Sequence, residues 1–336
     1  MSSVQHKRPS VKQGTHRADT IRKPGQQGTY ERLTPRLMWA LAAPHTWAAA
    51  IIGVLFSIAY VAVSYSGRIN LILSGILLLI CIAMQSAVNV FNDYSDFKKG
   101  TDSLDNSSND SFDAILVYHN LNPRSVLALG IFYLALAAVL GIYIVATSGW
   151  PPLIIGIIGA LAVIFYSTGK TPISYLPIGE AVSGIVMGGL IPLACTYVLS
   201  GVLDCMVLFL SLPLIIGIAL ILATNNTCDI EKDTVAYRQT LAVMLGRKKA
   251  VNTYHIVQLV WYAITIIMVA IFYFSSLPFM IFMLLGLFPV GRALFNNPLT
   301  QASRDAAMSQ IVMNNIILSA FYAVALLGST TITWVW

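Results

Sequence analysis

The sequence predicts an all-α integral membrane protein, and three observations carry that reading. Charged residues make up 10% of the chain, against about 25% in a soluble globular domain. Uncharged apolar stretches of about 20 residues, enough to cross about 30 Å of hydrocarbon, recur along it. When those stretches are threaded through a bilayer, nineteen of the twenty Lys and Arg residues fall on one side.

Nine transmembrane helices are expected, near residues 38–65, 69–91, 126–147, 150–167, 176–199, 204–224, 252–274, 277–292 and 311–333. The first carries Pro44, which a membrane helix tolerates, as it does Pro192, Pro213 and Pro289 in later spans. The second is a run of twenty-three residues without a charge. The fourth and eighth are the shortest. The fifth holds Glu180 about one turn in from its end, and the sixth runs into Asn225 and Asn226. The runs are continuously apolar rather than alternating, so the backbone is satisfied as helices and not as a barrel.

An N-terminus in the cytoplasm places residues 1–37 and the loops after spans two, four, six and eight inside, and leaves Arg68 alone outside. The C-terminal Thr333-Trp334-Val335-Trp336 then lies at the outer interface, where tryptophan anchors are expected. Residues 1–37 hold eight of the twenty basic residues in a polar setting. They read as a disordered cytoplasmic tail drawn to anionic lipid, ahead of a membrane domain over 38–336. No short apolar core precedes a small-residue cleavage site, so the tail is not a secretory signal. The net charge of +6 needs no nucleic acid to explain it. The four cysteines form no CxxC pair and read as structural.

Chemistry is expected where carboxylates cluster at helix ends. Asp93 and Asp96 are three residues apart and share a helical face, with Asn92 beside them and Asp102 past Gly100. Asp229 and Asp233 are four apart, with Asn225 and Asn226 one turn earlier. Carboxylates at such spacing repel unless a cation lies between them. Few, hard oxygen donors suit Mg²⁺, which keeps several waters and bridges one or two carboxylates to substrate phosphate. A bare solvated loop is the alternative, and it is preferred for Asp105, Asp110 and Asp113. A calcium loop fits poorly, because the DxDxDG spacing is absent.

On these residues the chain resembles the UbiA superfamily of intramembrane prenyltransferases, over nearly everything beyond residue 37. The first motif is Asn92-Asp93-Tyr94-Ser95-Asp96 with Asp102, and the second is Asp229 to Asp233. The surrounds NDYSDFKKGTD, NNTCDIEKD and FYSTGKTPISYLPIGE are similar to the MenA branch, the 1,4-dihydroxy-2-naphthoate polyprenyltransferases. Ala43, Cys228 and Tyr237 depart from that branch, which usually carries Arg, Arg and Gly there.

The resemblance implies Mg²⁺-dependent transfer of a polyprenyl group from its diphosphate to dihydroxynaphthoate, with loss of carboxylate, giving demethylmenaquinone. It implies two Mg²⁺ ions held by Asp93, Asp96, Asp229 and Asp233 and completed by Asn92 and Asn226. Lys170 and Arg238 would neutralise the diphosphate, with Lys98 and Lys99 as helpers. Tyr94, Tyr166 and Tyr175 are candidates to face the allylic cation. Glu180 stands open between acceptor chemistry and a structural hydrogen bond. The location implied is a bacterial cytoplasmic membrane, with the site facing the cytoplasm and lipid around the prenyl tail. Another aromatic acceptor, a terpene cyclase using the same clamp, or a secondary transporter are the competing readings.

Overall fold

Proline punctuates the start of the bundle. In the computed structural model, which describes residues 30–65, 68–100, 114–328 and 333–335, a short helix, Pro35–Ala42, begins where the Thr34 side chain accepts the Leu37 N–H. It stops at Ala43, which takes φ +47°, ahead of a 3-10 turn at Pro44–Thr46. Proline lacks the N–H that a continuous helix would need there. Nine principal helices follow among the described residues: α1 (Trp47–Ser64), α2 (Leu71–Lys99), α3 (Pro123–Ser148), α4 (Pro151–Ser167), α5 (Gly179–Ser200), α6 (Leu212–Cys228), α7 (Arg247–Phe272), α8 (Phe279–Phe295) and α9 (Arg304–Leu327).

Caps explain several of the ends. The Asn70 side chain accepts the Leu73 N–H to start α2, and Gly100, at φ +72°, ends it behind Lys98 and Lys99. Asn122 caps α3 through the Arg124 N–H, with Pro123 at the first helical position. α2 has 29 residues, so it runs ~43 Å and carries its last turns past the hydrocarbon thickness.

Pro35–Ser64, α2, α3, α5, α7 and Gln301–Leu327 are long and apolar enough to cross a membrane. α4, α6 and α8 are apolar but shorter, at 17 residues each. Large apolar side chains lie exposed along the bundle, among them Phe132, Val139 and Ile142 on α3 and Ile281, Leu285 and Phe288 on α8. Water would not tolerate that much open apolar surface, and lipid does. The protein is a multi-pass integral membrane protein.

Three expectations need correction in detail. The sixth span is broken: a short helix, Met206–Leu210, stops at Ser211 because Pro213 cannot continue it, and α6 then runs on to Cys228. The last span starts and ends earlier than expected. Arg304 and Asp305 are taken into the first turn of α9, and Thr333–Val335 is a strand pairing in parallel with Arg68–Asn70. Finally, the supposed tail is ordered where the structure describes it beyond residue 30: Glu31 pairs with Leu121 and its carboxylate meets His119 Nδ1 at 3.0 Å. Residues 1–29 and Asp102, Asp105, Asp110 and Asp113 lie outside the described residues.

α5 and α6 pack backbone to backbone. α5 contains a π-helical segment, Val186–Leu190, and a Cβ added at Gly188 would stand 2.6 Å from Ile215 Cα and N. The two backbones therefore touch, as small residues permit in membrane bundles. At the end of the bundle opposite the acidic motifs, one carboxylate ties the end of α1 to the helix Met206–Leu210. Asp204 Oδ2 accepts from Tyr60 at 2.5 Å and Tyr65 at 2.9 Å, and Oδ1 accepts the Met206 N–H at 2.9 Å.

The glycine contact makes a direct prediction. Gly188→Ala is expected to lower stability by about 1–3 kcal/mol through overpacking. Gly141→Ala, where an added Cβ meets nothing within 4 Å, is expected to stay within about 0.5 kcal/mol of the parent. Unfolding in detergent micelles measures both, and equal stabilities would show the α5–α6 contact to be loose.

Candidate active site

The acidic motifs sit on rigid helical backbone. Asp93 and Asp96 lie in the last turns of α2, and Asp229 follows α6 at the start of a short helix, Ile230–Val235, that contains Asp233. The Asp233 N–H donates to the Asp229 carbonyl at 2.8 Å, which fixes the second pair on one helical turn. All four carboxylates are at most 8% exposed. Buried charge of this density needs cations and hydrogen bonds to hold it.

The chain supplies two arginines. Arg238 Nη1 lies 3.4 Å from Asp233 Oδ1, and Arg238 is also within electrostatic reach of Asp96. Arg238 therefore lies near one aspartate of each motif. Burial works against the Arg238 guanidinium, but Asp233 and Asp96 hold it above its ordinary value. Burial pushes the Asp233 carboxyl up to about 6, with Arg238 pulling the other way. Arg304 Nε donates to Asp229 Oδ2 and to Asn225 Oδ1, each at 3.0 Å.

The loop between α4 and α5 closes the site. Ser167, at the end of α4, donates to Asn92 Oδ1 at 2.9 Å, and its carbonyl accepts from Lys99 Nζ at 2.9 Å. Further on, the Ser174 carbonyl accepts from Arg238 Nη2 at 3.4 Å and the Tyr175 carbonyl from the Gln239 N–H at 2.8 Å. The Tyr175 ring lies between two cations, with Lys99 Nζ 4.6 Å and Arg238 Cζ 5.0 Å from its centroid. Tyr166 is within electrostatic reach of Arg238, Glu180, Asp96 and Asp233. Glu180, in the first turn of α5, accepts from Asn226 Nδ2 at 2.8 Å.

Asp96, Asp233, Arg238, Asn92, Asn226, Tyr166, Tyr175 and Glu180 thus belong to one connected set, and Asp93 and Asp229 join it through their own helical turns. Tyr94 does not point there; it packs with Leu37, Leu41 and Val90. Lys170 is exposed and makes no ion pair among the described residues, yet both ends of its loop are tied to the site. Sequence reasoning missed Arg304, which reaches Asp229 from 75 residues away; a basic residue in a basic loop carries no signal of its own.

Among the described residues, no three acidic, His or Cys side chains close on one point to form a ready metal cage. The donor chemistry still fits Mg²⁺. Asp233 Oδ2 is buried and takes no hydrogen bond, and the nearby donors are hard carboxylate oxygens. Such an ion usually draws the rest of its coordination from water and substrate phosphate.

Comparison with known proteins agrees with this architecture. The UbiA prenyltransferase family model matches residues 51–316. The 1,4-dihydroxy-2-naphthoate octaprenyltransferase of Bacillus subtilis is 33% identical over 228 residues, 68% of this chain and 72% of that protein. The UbiA prenyltransferase domain-containing protein 1 of Xenopus tropicalis is 30% identical over 60% of this chain and 58% of its own length. A solved UbiA homologue from Archaeoglobus fulgidus, bound to GPP and Mg²⁺, has a TM-score of 0.61 at 15% identity, covering 87% of this chain and 99% of that one.

The Arg238–Asp233 pair is testable by itself. Arg238→Met would leave Asp233 buried beside no guanidinium, at an expected cost of about 3 kcal/mol in unfolding free energy in detergent. Arg238→Lys should recover part of it. No loss in the methionine variant would mean that the pair does not hold the second motif.

Proposed function

The chain belongs to the UbiA prenyltransferase family, and on that premise we propose that it transfers a polyprenyl group from polyprenyl diphosphate to 1,4-dihydroxy-2-naphthoate. The acceptor loses its carboxylate, and the product is demethylmenaquinone, an intermediate of menaquinone biosynthesis. The observation that carries the reading is Arg238 paired with Asp233 and within reach of Asp96, one buried aspartate from each motif, in a chain similar to a naphthoate prenyltransferase.

Asp93, Asp96, Asp229 and Asp233 are the residues that would hold Mg²⁺, with Asn92 and Asn226 orienting them. Bound there with the diphosphate, the ions would supply Lewis-acid neutralisation of the leaving group. The chain's own cations do complementary work. Arg238 and Lys99 flank Tyr175 and add positive charge where the diphosphate oxygens gain negative charge. Lys170, on an exposed loop anchored at both ends by the site, meets the diphosphate from outside. Tyr166 presents an aromatic face to the allylic cation that ionisation leaves, whereas Tyr175 is taken up by Lys99 and Arg238. The prenyl tail lies along the lipid-facing helices.

The excess of Lys and Arg on the side of the motifs supports a site facing the cytoplasm. Nine spans, a cytoplasmic N-terminus and a bacterial cytoplasmic membrane complete the proposed topology.

The test is transfer of a radiolabelled polyprenyl diphosphate to 1,4-dihydroxy-2-naphthoate in membranes. A lipid-soluble prenylated naphthol is expected, abolished by EDTA and lowered about 10²-fold or more in Asp93→Ala and Asp229→Ala. Mg²⁺-dependent release of diphosphate without alkylation of the naphthol would keep the clamp and reject the acceptor. Product that forms without either aspartate would reject the clamp.

A further inference from the structure

Glu180 has a free oxygen inside the site. The residue is 8% exposed. Its Oε1 is engaged by Asn226 Nδ2, while Oε2 is buried with no hydrogen-bond partner. An unpartnered buried carboxylate oxygen is costly, and it marks a place where something else is meant to bind. Tyr166 is within electrostatic reach of Glu180 and of Asp96 and Asp233, so the Glu180 carboxylate lies beside the same site.

From this geometry we infer that Glu180 reads the acceptor: its Oε2 accepts a hydrogen bond from a ring hydroxyl of the aromatic substrate. The inference rests on the prenyl-transfer reading above and adds the recognition element for the second substrate. Charge decides what Oε2 meets. A diphosphate offers only oxygen acceptors and negative charge, so it cannot satisfy a carboxylate. Of the groups on a dihydroxynaphthoate, the hydroxyls donate and the carboxylate repels. A hydroxyl therefore turns toward Glu180, and the substrate carboxylate turns away from it, toward the positive side formed by Lys99 and Arg238.

Asn226 then has two duties. Its Nδ2 holds Glu180, and its carbonyl oxygen is an acceptor suited to a cation beside the diphosphate. Through Asn226 the acceptor pocket and the diphosphate pocket share one side chain, which fixes how far apart the two reacting carbons are held.

Selectivity follows from the same physics. A site built to bind a substrate hydroxyl rejects an analogue that lacks it, because the buried partner is left unpaired. The experiment compares 1,4-dihydroxy-2-naphthoate with its two monomethyl ethers, in the wild type, Glu180→Gln and Glu180→Ala. Alongside it, Mg²⁺-dependent binding of labelled polyprenyl diphosphate is measured without acceptor. The wild type is expected to discriminate by about 10²-fold or more against at least one ether. Glu180→Gln should lose about 10- to 100-fold in kcat/KM for the parent acceptor while still binding prenyl diphosphate. Glu180→Ala should narrow the discrimination against that ether.

Two outcomes would overturn the inference alone. A wild type that alkylates both ethers as fast as the parent has no hydroxyl-reading group. A Glu180→Gln protein that loses prenyl diphosphate binding in step with Asp93→Ala places Glu180 in the cation clamp. A wild type that binds prenyl diphosphate yet alkylates none of the three naphthoates would overturn the acceptor reading and this inference with it.

Discussion

Everything at the polar end of this bundle depends on how buried negative charge is balanced. Four aspartates and a glutamate are each at most 8% exposed, and in a low-dielectric setting a carboxylate without a cation is far more costly than in water. Arg238 and Arg304 answer for the second motif. Those pairings also explain the path of the chain. Arg238 draws the segment after Val235 under the loop that ends at Tyr175, and Arg304 fixes the start of α9 against the end of α6. Among the described residues, three buried atoms at this end take no hydrogen bond: Asp233 Oδ2, Glu180 Oε2 and Arg238 Nε. Unpaired buried polar atoms gathered in one place are what a site prepared for a ligand leaves open.

The helices deliver these charges by length and by close approach. α2 is long enough to carry Asp93 and Asp96 beyond the hydrocarbon while remaining helical, so the first motif rides on rigid backbone. The Leu116 N–H donates to Asp93 Oδ1 at 3.4 Å, which brings the segment before α3 over that motif. α5 and α6 meet backbone to backbone at Gly188 and Ile215, and their ends supply Glu180 and Asn226. That close contact sets the 2.8 Å bond between the two side chains. The π segment in α5 lies on the same stretch. Such bulges shift helical register locally and recur at functional sites.

Much of this was legible in the sequence, for identifiable reasons. Hydrophobic length announced the helices, and spacings of three and four placed each aspartate pair on one helical face. Arg238 could be named because it follows Asp233 by five residues. What stayed hidden required contact across long separations. Arg304 reads as one more cytoplasmic cation until its bond to Asp229 is seen. Lys99 sits at the end of α2 like any positive-inside residue, yet its ammonium caps the Ser167 carbonyl and lies over Tyr175. The break before α6 was readable in Pro213, but hydrophobic length overrode it. Tyr94 lies inside the first motif and still turns to the core, because neighbouring helical positions face different directions.

The position of the site at the membrane boundary follows from what the proposed substrates are. A polyprenyl diphosphate is soluble in lipid along its tail and in water at its head, so neither a midplane site nor a soluble pocket would hold both ends. A site at the polar end of a lipid-facing bundle lets the tail remain among exposed side chains such as those of α3, while Arg238 and the aspartates take the head. Its two unpaired carboxylate oxygens then have different partners. In the proposed reading Asp233 offers a hard donor to a cation beside the diphosphate, and Glu180, bonded to Asn226, offers an acceptor to a hydroxyl. On that proposal, the Asn226–Glu180 bond joins the place for phosphate to the place for an aromatic ring.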